Sequence, residues 1–257
     1  MNSLRRLGEI ASGVFIATAG AYSTISTALL DGCGGAVLVD PAWFPDELAA
    51  LGHDLTELGV TCIAGVATHE HYDHVLWHPD LGTPPRWASV TTVARLAYHR
   101  SEIVAPAGEF LTTDLLNLAG RLDALTADIL PWQGPETNVI RHDAHAPGHL
   151  ALFQPAGGVL MVGDMLSDIE LPMPADDDAT LETYLTGLEV LRPYIAAARW
   201  LIPGHGTPSN RPTARLAADQ TYLDDLLTRG DSDDPRVYAP GMPEIHAPNQ
   251  QRAARPL

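Results

Sequence analysis

The chain has 257 residues, 46% of them hydrophobic, which is enough apolar matter for one large core or two small ones. Its formal net charge is -17, and its 15 cationic side chains are all arginine, since the sequence has no lysine. That balance argues against a broad phosphate-tracking surface, because affinity for nucleic acid rests on clustered cations.

At the N-terminus, Arg5 and Arg6 are followed by Glu9 and a small-polar mixture, so no signal-like apolar segment forms. No run is long enough to span a bilayer, and the expectation is a cytoplasmic protein without a membrane partner. Apolar runs at 13–17, 26–30 and 36–40, separated by Asp-Gly and Gly-Gly turns, predict strands joined as hairpins. Leu48, Leu51, Leu55 and Leu58 recur at helical spacing, so 45–58 is predicted helical until Gly59 stops it. The β-branched, apolar run 60–67 then reads as a buried strand. Helices are predicted at 91–102 and 112–126, strands at 138–142, 151–154, 158–162 and 200–202, and helices at 178–193 and 212–229. The last of these begins with Pro212 and ends at Gly230, a favourable asymmetry. The stretch 231–257 is rich in Asp, Pro and Gly yet contains Val237, Tyr238, Met242, Ile245 and His246, and its order is left open. Two cysteines provide no disulfide framework: Cys62 sits inside a predicted strand and Cys33 in a turn.

The strand at 60–67 delivers His69-Glu70-His71-Tyr72-Asp73-His74, three imidazoles and flanking carboxylates within six residues. Imidazole is the commonest metal ligand at neutral pH, and a carboxylate beside it suits zinc, iron or manganese. Further candidate ligands stand near other strand ends: His149 in His145-Ala146-Pro147-Gly148-His149, Asp164 after the run 158–163, and His205 in Pro203-Gly204-His205-Gly206. Ligands drawn from both halves of the chain argue for a single domain over 1–257, with 231–257 as its tail.

The ordered set HxHxDH, PGH, GD and PGHG resembles the metallo-β-lactamase-fold metallohydrolase superfamily over roughly residues 14 to 206. The resemblance implies an α/β fold, an αββα sandwich of two mixed sheets flanked by helices. It implies two divalent metal ions, with zinc first and iron or manganese as alternatives. One would be held by His69, His71 and His149 and the other by Asp73, His74 and His205, with Asp164 bridging. Asp40 is expected to orient a ligand histidine from behind, and His145 is placed in the same supporting layer. The implied activity is hydrolysis of a small-molecule ester, lactone or thioester by a hydroxide shared between the metals, with Asp73 as proton acceptor. Phosphodiester hydrolysis is the alternative reaction, and a sulfur-dioxygenase-like oxidoreductase or a non-catalytic ligand-binding member represents the other classes.

The expected partner is a compact small molecule rather than a nucleic acid, and the oligomeric state is open. Trp43, Tyr72, Trp77, His78 and His246 are the candidates for the substrate pocket. The segment Val75-Leu76-Trp77-His78-Pro79 after the first motif, and Leu150-Ala151 after His149, depart from the superfamily's usual continuation and weaken an assignment to glyoxalase-type thioesterases or true β-lactamases.

Overall fold

A computed structural model describes residues 6–174 and 180–254. The first sheet has seven strands in sequence order: β1 (Gly8–Ala11), β2 (Val14–Thr18), β3 (Ile25–Leu30), β4 (Gly35–Val39), β5 (Thr61–Val66), β6 (Arg86–Ser89) and β7 (Asp123–Leu125). Its first four strands pair antiparallel, and from β4 to β7 the pairing is parallel. The change of sense follows from the connections. Short turns join the early strands, while α1 (Pro45–Glu57) carries the chain from β4 to β5 and α2 (Val90–Ile103) intervenes between β6 and β7.

The second sheet has the order β11 (Trp200–Ile202), β10 (Val159–Met161), β9 (His149–Gln154), β8 (Asn138–His142), with only β10 and β11 parallel. Each inner strand has two apolar faces, and the alternation says where each goes. In β4, Val37 and Val39 join Leu150 and Leu152 of β9 in the core between the sheets. Ala36 and Leu38, on the opposite face, pack with Leu51 and Leu55 of α1. In β9, Ala151 and Phe153 turn outward onto Leu188 of α4 (Leu181–Ala197) and Leu223 of α5 (Pro212–Arg229). The layering is therefore helix, sheet, sheet, helix, the αββα sandwich the motifs implied. Burying one leucine of this core contributes about 2 kcal/mol relative to leaving it in water.

Three regions differ from the sequence-based expectation or complete it. The predicted helix 112–126 ends early: α3 covers only Thr113–Leu118, and after Gly120 the chain becomes edge strand β7. Leucines at helical spacing specified an apolar face, but pairing with β6 takes up the backbone groups of the last of them, Leu125. Strands β1 and β6 were not predicted, and Pro84-Pro85 before β6 masks its pattern. The C-terminal stretch contains α6 (Met242–Ala253), whose Met242, Ile245 and Ala253 pack against the α4–α5 core. The start of the predicted helix at 178 lies outside the described residues, and α4 begins at Leu181. No helix among the described residues is long and apolar enough to cross a membrane.

Candidate metal centre

The strand ends meet at one edge of the sandwich, and backbone hydrogen bonds lock them together. Leu150 N donates to Thr68 O at 2.7 Å, and Ile25 N donates to Gly204 O at 2.7 Å, so loops from both sheets are joined directly. Gly204 is required by packing: a Cβ there would overlap Oδ1 of Asp164.

Two groups of potential ligands result, one of His69, His71, His145 and Asp164, the other of Asp73, His74 and His205. Within each group the donor atoms all lie within 4.8 Å of one another. Asp164 stands between the two, with Oδ2 3.4 Å from His69 Nε2 and 3.4 Å from His205 Nε2, and Oδ1 3.1 Å from His74 Nε2. Asp73 Oδ2 is 3.2 Å from His205 Nε2 and 3.4 Å from His74 Nε2.

The first group differs from the expected one in a single member. His145, expected in the supporting layer, lies among the donors, with Nε2 3.1 Å from His71 Nδ1 and 3.5 Å from Asp164 Oδ2. His149, expected among the donors, lies outside both groups. Its Nε2 is bonded to Val162 O at 3.1 Å, and its ring stacks between those of His69 and His142 at 4.7 Å each. The reason is strand phase. His149 is the first residue of β9, in phase with the outward-facing Ala151 and Phe153, whereas His145 precedes the Pro147-Gly148 turn and is free of the sheet. Gly148 at φ 73 makes that turn, a conformation unfavourable for other residues.

The ring orientations are set from behind. His145 Nδ1 is 2.8 Å from the carbonyl of Met173, and His205 Nδ1 is 3.1 Å from the carbonyl of Tyr22. A carbonyl only accepts, so both Nδ1 atoms carry hydrogens and both Nε2 atoms are turned toward the centre. Asp40 stands behind His74: its Oδ2 is 3.0 Å from His74 Nδ1, and its oxygens also accept from Thr68 N at 2.8 Å and Thr68 Oγ1 at 2.7 Å.

Charge is concentrated here. Burial pushes His145 down to about 3, so it stays neutral, and it likewise holds His69 well below the usual imidazole range. Burial opposes the charged form of His74 too, but the carboxylates of Asp164, Asp73 and Asp40 overcome it and hold that imidazole high. Burial would raise Asp73 and Asp164, yet the neighbouring His74 and His205 hold both carboxyls below the ordinary range. The buried atoms His69 Nε2 and Asp164 Oδ1 have no hydrogen-bond partner among the described residues. Converging ring nitrogens, ionised carboxylates and buried polar atoms left without a hydrogen bond fit divalent metal ions, which would take the place of the imidazole protons.

The other candidates are spread out. Trp43 and Tyr72 belong to an aromatic cluster beside the first motif, with ring centroids 5.4 Å apart, and Phe110 stacks on Trp43 at 5.6 Å. Trp77 is a core residue that donates to Gly82 O, with Arg86 over its ring. His78 caps a short 3-10 turn by accepting from Asp80 N. His246 is buried and held by Tyr222 Oη at 3.0 Å and Asp231 Oδ1 at 2.9 Å. The large cavity in this region, about 740 Å³, is instead walled by Tyr22, Glu170, Met173, Arg236, Met242 and Ile245 among others. No periodicity or motif marked these residues, which converge only in the tertiary structure.

The profile of the Metallo-beta-lactamase superfamily matches residues 23–213, and the chain belongs to that superfamily. Solved structures agree in fold. A beta-lactamase domain protein from Burkholderia ambifaria is 19% identical, with TM-score 0.66, covering 96% of this chain and 87% of that one. A metallo-beta-lactamase from Pontibacter korlensis is 20% identical, with TM-score 0.65, covering 86% and 99%. A stereoselective inverting sec-alkylsulfatase from Pseudomonas sp. is 17% identical, with TM-score 0.64, covering 88% of this chain and 42% of that one.

Proposed function

We propose that the protein is a dinuclear metal-dependent hydrolase of a small-molecule carboxylic ester, lactone or thioester, with zinc as the first candidate metal. The observation that carries this reading is the pair of adjoining donor groups sharing Asp164. His69, His71 and His145 would hold one ion, Asp73, His74 and His205 the other, and Asp164 would reach both. Bound there, divalent ions would make a water nucleophilic at neutral pH and polarise the oxygen of the group under attack.

The chain's own residues supply orientation and polarity. The carbonyls of Met173 and Tyr22 hold the His145 and His205 rings in the tautomer that turns Nε2 inward. Asp40 steadies His74 and, through Thr68, ties the first motif to the end of β4. Asp73, ionised and turned toward the centre, is the group assigned to accept a proton from water. The cavity walled by Tyr22 and Met173, whose carbonyls hold His205 and His145, takes the substrate body, and its volume suits a compact molecule.

The test is metal analysis of the purified protein coupled to a panel of chromogenic esters, lactones, thioesters, β-lactams and phosphodiesters. Two metals per chain with carbonyl substrates turned over fastest is the expected result. At most one metal under saturating zinc, iron and manganese, or phosphodiesters and oligonucleotides cleaved faster than every carbonyl compound, would overturn it.

A further inference from the structure

The cavity beside the metal centre is closed on one side by a segment outside the stretch that matches the superfamily, residues 235–245. This wall is fastened to the loop that follows Asp164. Arg236 Nη1 donates to the carbonyls of Ser167 and Glu170, both at 2.9 Å, and Leu171 N donates to Met242 Sδ at 3.2 Å. The walls are largely apolar, with Ile169, Met173, Pro235, Met242 and Ile245 contributing.

Three charged side chains stand among the described lining residues, and two are already satisfied. Arg236 is bonded to Asp219 and Asp234, and Asp168 to Thr207 and Arg215. The third, Glu170, has no hydrogen-bond or ion-pair partner for its carboxylate among the described residues. It lies close enough to the centre to feel the charges of His205, Asp164 and Asp73, and burial pushes it up to about 7. Among the described residues it is the one charged group of this largely apolar cavity without a partner, so a molecule seated there is the group that can supply one.

Resting on the hydrolase reading above, we propose that Glu170 is a specificity residue that accepts a hydrogen bond from an N–H or O–H group on the apolar body of the substrate. The substrate class is thereby narrowed to carbonyl compounds with an aliphatic or aromatic body that carries an ammonium or hydroxyl group away from the scissile bond. A bare hydrocarbon body would fill the cavity but leave the carboxylate unpaired. The penalty for that mismatch is what gives a polar group in a pocket its discriminating power.

The experiment uses chromogenic esters of one chain length whose far acyl end is methyl, hydroxyl or ammonium, read as ratios of kcat/KM. In parallel, calorimetry measures binding of the matching non-hydrolysable ketones, so that the pocket is read without turnover. The expected result is a preference of about tenfold or more for at least one donor-ended compound over the methyl-ended one. Glu170→Ala should abolish it. Glu170→Gln separates the two sources: a hydroxyl preference survives, because the amide oxygen still accepts, whereas an ammonium preference collapses with the charge. Donor-ended ketones preferred by the wild type but not by Glu170→Ala, with no ester turned over, would support the pocket assignment while the hydrolase reading failed. No donor preference in the wild type, or a preference that persists undiminished in Glu170→Ala, would overturn the assignment. Circular dichroism melting of both variants controls for folding, which does not draw on the Glu170 carboxylate.

Discussion

Nδ1 of His71 and Nε2 of His145 lie 3.1 Å apart, with Asp164 Oδ2 3.5 Å from the latter. His145 gives its Nδ1 hydrogen to Met173 O and is kept neutral by burial, so its Nε2 presents a lone pair. Two ring nitrogens and a carboxylate turned toward one point are what a cation requires and what a hydrogen-bonded core avoids.

The first prediction follows from that relationship. His145→Ala should weaken metal binding at one of the two positions by at least the roughly tenfold to hundredfold that loss of a group supporting a ligand costs. His149→Ala should leave two metals per chain and instead destabilise the fold by about 2 kcal/mol, since it deletes a fully buried ring bonded to Val162 O. Elemental analysis and urea unfolding on both variants check this. A metal lost from His149→Ala and retained in His145→Ala would reverse the assignment.

Gly204→Ala should displace Asp164, because the new methyl would occupy the space of its Oδ1. Since Asp164 reaches both donor groups, both metal positions should weaken together. Anomalous scattering at the metal edge would show partial occupancy at both positions. Full occupancy at both would mean that the loop yields without moving Asp164.

Arg236 and Asp219 form a buried ion pair, with a 2.7 Å contact and side-chain exposures of 8% and 1%. Arg236→Met should destabilise by about 3–5 kcal/mol, because it leaves the Asp219 carboxylate buried beside an apolar group. Adding Asp219→Leu should recover part of that loss, since it removes the uncompensated charge while Asp234 and the carbonyls of Ser167 and Glu170 still lack their donor. Chemical denaturation of the single and double variants tests the coupling, and equal instability in both would contradict it.

Cys33 is exposed in the turn before β4, whereas Cys62 is buried in β5 and its thiol is pushed up to about 12, chiefly by burial. A native chain treated with a thiol reagent at pH 8 should therefore label one cysteine quickly and the second only on unfolding. Peptide mass spectrometry identifies which. Rapid labelling of Cys62 would show that β5 opens readily, contrary to its place between β4 and β6.

Much of the architecture was legible in the order of residues, because it depends on local pattern. The two-residue alternation of 36–39 and 150–153, the leucines of α1 and the Pro-to-Gly span of α5 each specify an element whatever surrounds it. The compact motif from His69 to His74 pointed to a metal because no core accommodates so many unsatisfied groups without one. Pairing decided the rest. Leu122 and Leu125 carry a helical spacing yet lie at or in an edge strand, because β6 offers Leu125 a ladder. The choice between His145 and His149 turned on which side of the Pro147-Gly148 turn the sheet begins, a matter of register with His142 across β8. The substrate cavity was least visible of all. Glu170, Met173, Met242 and Ile245 carry no motif, and they become a wall only because Arg236, pinned by Asp219, fastens the C-terminal segment across the loop after Asp164. Sequence alone determined the elements and the chemistry carried by adjacent residues. The folded chain decided which distant side chains share a space, because contacts between residues far apart in sequence leave no local period to read.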